Sequence, residues 1–245
     1  MAGAERLTAR TLMLSRIDYA IWIVGFLVEV GAVVCFIVHR NFFRYIFLGI
    51  YLLAATLVTA GQYLTIQKFG WSSVEYWYYY YYSESLLTIL LFFVIIQFYD
   101  RVFQELNASR YVRRGAIVLV GATALFSYLV IRANQDHLTS RFVVELGQNL
   151  YFVGVVLTYL LWGAILKLRE TRARLIQLVL ALGVYFSATA AAYALRNLFP
   201  SLQPAVLRWV PPLVGVWLPA AWAFTMTKVS EDARLVTSHL LARAR

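Results

Sequence analysis

Residues 75–101 read EYWYYYYYSESLLTILLFFVIIQFYDR and carry the clearest structural signal in the chain. Seven consecutive aromatic residues, Tyr76 to Tyr82, lead into an apolar run that ends at Gln97. Tyrosine and tryptophan favour the membrane–water interface, because their rings are apolar and their polar tips hydrogen-bond to water or lipid headgroups. The pattern predicts a membrane helix that begins in an aromatic collar, with the Glu84 carboxylate just below that collar.

The composition of the whole chain agrees with this prediction. Of its 245 residues, 62% are hydrophobic and only 14% are charged, and the mean hydropathy is +0.69. A soluble domain carries about 25% charged residues. Several apolar runs reach the length of about 20 residues that a helix needs to cross a bilayer. We therefore expect a polytopic membrane protein.

The net charge of +10 would point to nucleic acid in a soluble protein. Here the basic residues mostly flank apolar runs, which favours a role in topology and in contact with lipid headgroups, and no nucleic-acid partner is expected. The single cysteine, Cys35, lies inside the first apolar run, so an intrachain disulfide and a cysteine metal cluster are both excluded.

The apolar runs predict an all-α fold, a bundle of seven transmembrane helices that forms one domain over residues 1–228. The predicted spans are 17–38, 43–66, 76–99, 115–133, 142–166, 174–197 and 207–228. Apolar residues recur at roughly helical spacing in the tail, residues 229–245, which predicts a short amphipathic helix on the cytoplasmic membrane surface. The segments after spans one, three, five and seven carry more lysine and arginine, which favours an outside N-terminus and a cytoplasmic C-terminus.

Polar side chains within these spans point to a candidate binding site. Most fall toward the collar side of the membrane, at helical spacing on the third, fifth and sixth spans, and Glu29 alone lies near mid-depth. We expect them to line an aromatic and polar cavity that opens outward. The candidate ligand-binding residues are Glu84, Tyr78, Tyr81, Tyr82, Glu145, Gln148, Asn149, Tyr193, Arg196 and Glu29.

A plainer interpretation of the same residues stays open. The arginines near span ends can extend to lipid headgroups, and the tyrosines can form an ordinary interfacial belt. Glu84 and Glu29 lie deeper, which favours an interior role, although that role can be structural, such as a buried pair between Glu84 and Arg196.

Several specific chemistries lack their residues. Haem ligation by two histidines needs both within the spans, and a retinal Schiff base needs a lysine midway along the last span, but every histidine and lysine lies elsewhere. The sequence contains no Gly-x-Ser-x-Gly elbow, no His-Glu-x-x-His and no Walker loop. An enzyme is therefore the less favoured class, and neither a metal site nor a particular cofactor is predicted.

The segment Tyr76-Trp77-Tyr78-Tyr79-Tyr80-Tyr81-Tyr82-Ser83-Glu84-Ser85, with Phe98-Tyr99-Asp100-Arg101 after the apolar run, resembles a group of uncharacterised seven-helix inner-membrane proteins common in acidobacteria. In those proteins an aromatic run meets Ser-Glu-Ala before the third span, and here Ser85 replaces the alanine. The resemblance covers about 30 residues. It implies a bacterial inner membrane and seven spans, and it implies no activity and no catalytic residue.

Three classes of function remain. The first is a receptor-like protein that senses or binds a small molecule or lipid in the outward cavity and signals to a separate partner through cytoplasmic loops and tail. The second is a structural or accessory subunit that packs against partner helices in a larger membrane complex. A transporter or membrane enzyme is less favoured, because no internal repeat is found and the prolines within spans are confined to the last one.

Overall fold

The computed structural model describes most of the chain. It covers residues 16–39, 44–71, 73–103, 138–168, 171–199, 203–230 and 233–234, together with Gly115, Val118 and Gly121. At 16–18, 138–145, 196–197 and 203–208 it describes the backbone alone.

Six long α-helices make up nearly all of the described residues. They are α1 (Arg16–Val38), α2 (Ile46–Phe69), α3 (Val74–Phe103), α4 (Leu138–Lys167), α5 (Ala173–Leu198) and α6 (Gln203–Lys228). Each contains a stretch that is long and apolar enough to cross a membrane. Only a helix can cross as a single segment with its backbone hydrogen bonds satisfied. The chain is therefore an all-α, multi-pass integral membrane protein.

These helices match six of the seven predicted spans, with ends within four residues of the predicted ones. The fourth predicted span, 115–133, lies outside the described residues except for three helical positions, Gly115, Val118 and Gly121. Of the predicted tail helix, only residues 229–230 and 233–234 are described, and none of them is helical. The seventh membrane helix and the interfacial tail helix therefore stay predictions.

The six helices pack as a ring in chain order. Each helix packs against its neighbour in the sequence, and α6 packs against both α5 and α1, which closes the ring. Most neighbours run antiparallel, as the contacts of α5 with α6 illustrate: Trp222 reaches Leu178, whereas Val229 lies beside Arg174.

Two of the six neighbouring pairs run parallel: α1 with α6, which closes the ring, and α3 with α4. Glu84 and Tyr151 meet in the first half of each helix. Farther along both helices, the Tyr99 hydroxyl donates to the Leu157 carbonyl at 2.7 Å. Beyond the end of α4, Arg172 donates to the carbonyl of Arg101 near the end of α3, at 2.8 Å. Both sequences therefore advance in the same direction across the membrane.

The ring has two chemically different ends. We call the end at which α3 begins the collar end, since it carries the aromatic run. The opposite end is the basic end, where arginine side chains donate to backbone carbonyls of neighbouring segments: Arg101 to Arg44, Arg172 to Arg101, and Arg174 to Val229. The carbonyls of a helix's last turn lack intrahelical partners, so these bonds tie helix ends together.

Toward the basic end the interior is an unbroken apolar layer, which we call the apolar plug. All six helices contribute to it, and its members are at most 2% exposed. They are Phe36, Leu48, Leu52, Leu91, Phe92, Ile95, Phe98, Leu161, Leu178, Leu182 and Trp222. Within the described part of the ring, these side chains form an apolar barrier between the polar groups above and the basic end.

A short turn positions α3 and its aromatic run. Gly70 ends α2 with φ at 84°, a left-handed conformation that glycine adopts without steric cost. The Ser73 side chain then caps α3 by accepting from the backbone N–H of Tyr76 at 3.0 Å. The turn therefore fixes α3 antiparallel to α2 and places Glu84 inside the ring.

Candidate functional site

Between the collar and the apolar plug, the ring contains a group of tyrosines around one carboxylate. Glu84 lies on α3, and five tyrosines from α2, α3, α4 and α5 surround it. We call them the tyrosine cluster: Tyr51, Tyr80, Tyr151, Tyr185 and Tyr193. Because four helices contribute, the cluster exists only in the assembled ring.

A chain of hydrogen bonds forms the centre of this cluster. The Tyr151 hydroxyl donates to Oε1 of Glu84, and the hydroxyls of Tyr151 and Tyr185 lie 3.4 Å apart. Tyr151 is only 1% exposed, so its hydroxyl has to find a protein partner. The Glu84 carboxyl oxygen supplies it.

Ring packing holds Tyr151 in this position. Its ring centroid lies 5.6 Å from Tyr193 and 6.1 Å from Phe186. Phe186 in turn lies directly over Gly154, where an added Cβ would collide with the ring. Glycine at 154 therefore lets α5 approach α4 closely enough for its aromatic residues to enclose Tyr151.

Two side chains close to this centre have unsatisfied polar atoms. Glu29 on α1 has Thr59 as a hydrogen-bonding neighbour, but its Oε2 is buried and has no partner among the described residues. Gln148 lies one turn before Tyr151 on α4, is 8% exposed, and its buried Nε2 likewise has no acceptor within the described part of the chain. A buried polar atom without a partner requires an explanation, and a missing ligand is one.

The structure brings some of the predicted site residues together. Glu84 and Tyr193 both belong to the group just described, and Gln148 and Glu29 lie at its margin. Asn149 is half-buried on α4. Of Glu145 and Arg196 only the backbone is described, so the predicted pair between Glu84 and Arg196 is not tested.

Other predicted residues lie away from that centre. Tyr78 and Tyr82 are 45% and 44% exposed on the outer surface of α3, with their ring centroids 6.2 Å apart. Tyr81 is half-buried and packs against Trp77, at 4.5 Å between ring centroids. These rings form the outward part of the collar, in the position that interfacial aromatic residues normally occupy.

Sequence reasoning missed the central residue of the site. Tyr151 is not among the predicted binding residues, yet it is buried, whereas Phe152 beside it is 43% exposed. The signal was present, because Gln148 and Tyr151 stand three residues apart on one helix face. Tyr51 gave a weaker signal, a single tyrosine in a run of apolar residues on α2.

A second concave surface lies on the outside of the ring. A groove of about 610 Å³ runs between α4 and α5 and is lined by Thr158, Tyr159, Trp162, Leu180, Gly183, Val184, Ser187 and Ala188. Tyr159, Leu180 and Val184 are exposed, so the groove faces the hydrocarbon of the membrane. It is separate from the polar interior at Glu84.

The described residues contain no group of three histidine, cysteine, aspartate or glutamate side chains that could hold a metal ion. Comparison with protein-family models, curated proteins and solved structures finds no match to this chain. The chemistry of the site therefore has to be judged from its own groups, which are carboxylate acceptors, tyrosine hydroxyls and aromatic faces. Such groups bind hydrogen-bond donors and cations.

Proposed function

We propose that this chain is a membrane receptor that binds a small molecule at Glu84 and the tyrosine cluster. The ligand enters from the collar end, and its binding changes the conformation of the ring. A separate protein partner, bound at the basic end, responds to that conformational change. The observation that carries this proposal is a hydrogen-bonded polar interior that stops at a sealed apolar layer. Polar groups are costly inside a membrane protein, and they commonly mark a ligand or ion site.

The apolar plug supports binding rather than conduction. A transporter needs a path to both sides of the membrane, and its substrate site typically lies near mid-depth between repeated halves. Here the polar groups lie toward the collar end, and the interior beyond them consists of fully buried Leu, Ile, Phe and Trp side chains. Among the described residues, the plug therefore separates Glu84 from the basic end, and entry from the collar end is the shorter route.

Contacts across the ring provide a route for the signal. The charge of Glu84 acts on the Tyr51 hydroxyl, and the Tyr51 ring packs edge-on against Trp222 of α6 with centroids 5.6 Å apart. Three prolines interrupt the backbone hydrogen bonds of α6, so this helix bends more readily than its neighbours. A shift of Trp222 therefore moves the part of α6 that leads to the basic end.

The basic end offers a surface for the partner. After α6, the Ala233 carbonyl accepts from the backbone N–H of Ala173 at 3.0 Å, and the Val229 carbonyl accepts from Arg174 at 2.8 Å. The segment after α6 therefore packs against the start of α5, and a movement of α6 changes the exposed basic surface there. We propose that the partner binds this surface and the tail that follows.

The parallel arrangement of α3 and α4 supports the seven-span topology. The chain leaves α3 at the basic end and enters α4 at the collar end, so residues 104–137 connect opposite ends of the ring. The apolar run 115–133 has the length to make that crossing. With seven crossings the N-terminus lies outside and the C-terminus in the cytoplasm, and the resemblance to acidobacterial proteins favours a bacterial inner membrane.

An accessory subunit of a larger complex is the second candidate. The observation in its favour is the broad exposed apolar face of α1, which includes Ile23, Leu27 and Val34. Lipid covers such a face as well as a partner helix does. The two functions differ in what the polar interior does, because an accessory subunit needs no ligand at Glu84.

A thermal-shift screen of the purified full chain in detergent tests the proposal. A defined panel of small amines, alcohols, carboxylic acids and single-chain lipids serves as the probe. A ligand at 100 times its Kd adds about 2.7 kcal/mol to the stability of the folded state, and for a chain of this size that raises Tm by roughly 5–10 °C. We expect at least one class to do so.

Matched variants locate the binding. Tyr151→Phe should reduce the shift, whereas Tyr159→Phe, on the lipid-facing side of the same helix, should retain it. If no class raises Tm, or if both variants respond as the unmodified protein does, the receptor proposal is wrong. A stable complex with other membrane proteins would then favour the accessory subunit.

A further inference from the structure

We infer that the ligand of this site is a small organic cation, an alkylammonium group that also carries an oxygen acceptor. The inference rests on the proposed function and specifies its ligand class. The inference follows from two interior carboxyl groups, the tyrosine rings around one of them, and an unpartnered amide. Each of these features favours a different part of the ligand.

The carboxylates select the positive charge. Glu84 of α3 and Glu29 of α1 come from different helices, and both lie close enough to Tyr51 to act electrostatically on its hydroxyl. Among the side chains that the structure describes, every lysine, arginine and histidine lies at or beyond a helix end. Within that part of the chain no basic side chain lies beside either acid, and an ionised interior carboxylate normally has a counter-charge.

The tyrosines favour a cation whose charge is spread over several atoms. An aromatic ring attracts a cation through the negative potential of its face, and rings arranged as a cage recognise alkylated ammonium groups. Tyr151 is enclosed by Tyr185 and Tyr193, with ring centroids 6.2 and 5.6 Å from its own. A compact, strongly hydrated metal ion gains less from such a surround than an alkylammonium ion does.

Gln148 selects the oxygen acceptor. Its side chain is more than nine-tenths buried, and its Nε2 has two N–H donors and no acceptor among the described residues. Gln148 lies on the same face of α4 as Tyr151, three residues before it, so both side chains leave the helix on the side that carries the cluster. A ligand hydroxyl or carbonyl close to the ammonium group satisfies this donor, while an N–H or O–H of the same ligand satisfies Oε2 of Glu29.

The test compares cations with neutral molecules of the same shape. Choline is paired with 3,3-dimethylbutan-1-ol, in which carbon replaces the charged nitrogen, and ethanolamine is paired with ethylene glycol. Binding to the purified full chain in a neutral detergent is measured by calorimetry and by thermal shift. We expect at least one cation to bind ten times or more tightly than its neutral partner.

Charge variants on one helix supply the control. Glu84→Gln keeps the shape of the side chain and removes its charge, so it should weaken cation binding at least tenfold and leave the neutral partner unaffected. Glu75→Gln removes an exposed carboxylate on the same helix and should change neither. Equal binding of both members of each pair, unaltered by Glu84→Gln, overturns the charge inference and leaves the receptor proposal standing.

Two further outcomes are decisive. If no member of either pair binds, the ligand class is wrong, and the broader thermal-shift panel then decides separately whether the site binds anything. If Arg196→Gln tightens cation binding tenfold or more, then Arg196 competes with the cation for the acids. Arg196 is in that case their counter-charge within the protein, and the inference that the ligand supplies this charge is overturned. Arg196 is chosen because it follows Tyr193 by three residues on α5.

Discussion

The hydroxyl of the buried Tyr151 connects an acid to a second tyrosine. It donates to Glu84 and lies beside the hydroxyl of Tyr185. The interior Thr88 and Thr189 hydroxyls form their hydrogen bonds within their own helices instead. Each donates to a backbone carbonyl four residues earlier, at 2.9 Å in both cases. Because these threonine hydroxyls already have backbone acceptors, they do not compete for Glu84, and Tyr151 is its hydrogen-bond donor. The polar centre is therefore a specific pair and not a general excess of polar groups.

Removing both members of that pair should cost less than the two single removals added together. Tyr151→Phe leaves a buried acceptor without its donor, which should destabilise the protein by about 1–3 kcal/mol. In the double variant Tyr151→Phe/Glu84→Leu the loss should be smaller than the sum of the two single losses by about 1 kcal/mol or more. Unfolding of each variant by a denaturant in mixed micelles gives these values.

Tyr99→Phe is the control for this cycle, because Tyr99 donates to the backbone carbonyl of Leu157. A neutral bond of this kind contributes about 0.5–1.5 kcal/mol. Additive losses in the cycle of Glu84 and Tyr151, or a larger loss from Tyr99→Phe than from Tyr151→Phe, would show that the pair is not an energetic unit.

At the scale of the helix, close approach of α4 and α5 depends on glycine. Besides Gly154 under Phe186, Gly183 of α5 faces Thr158 of α4, where an added Cβ would lie 3.3 Å from its methyl carbon. In lipid the hydrophobic effect does not hold helices together, so packing at close range has to do so. The aromatic enclosure of Tyr151 follows from this packing, which links the stability of one helix pair to the shape of the site.

Gly154→Ala should therefore loosen α4 from α5. The new methyl group meets a fully buried ring, and overpacking of this kind costs about 1–3 kcal/mol, which lowers Tm by roughly 2–12 °C in a chain of this size. Gly163→Ala on the same helix is the matched control, because an added Cβ there meets nothing within 4 Å. Equal Tm values for the two variants would contradict the packing argument.

At the scale of the molecule, charge is distributed unequally between the two ends. On the seven-span topology, 14 of the 22 lysine and arginine residues fall at the basic end and 8 at the collar end. Lysine and arginine accumulate on the cytoplasmic side of inner-membrane proteins. This asymmetry agrees with the orientation that the sequence predicts.

Labelling of single cysteines should confirm that orientation. In a Cys35→Ser background, Val74→Cys lies at the start of α3, where the native residue is 65% exposed, and Leu168→Cys lies after α4 at the basic end. A membrane-impermeant thiol reagent added to intact bacteria should modify the first and reach the second only after lysis. The opposite pattern would place the site on the cytoplasmic side.

Sequence patterns predicted the membrane helices well because their signal is one of composition. A run of about 20 apolar residues has few alternatives to a membrane helix. The site was harder to predict, because adjacent residues such as Tyr151 and Phe152 are equally compatible with an apolar helix, and only packing decides which of them faces inward. The parallel pair of α3 and α4 is likewise a property of the assembled ring, which no local pattern contains.

The order of the helices around the ring also has a consequence for synthesis. The helices follow one another around the ring in chain order. The ring is therefore complete only when α6 packs between α5 and α1. At about 5–20 residues per second, translation of its 26 residues takes roughly 1–5 s. During that interval the side of the nascent protein that Trp222 will fill is open to lipid, although every helix that contributes to the tyrosine cluster has already been made. The insertion machinery therefore has to accommodate an open assembly of five helices that already contains Glu84.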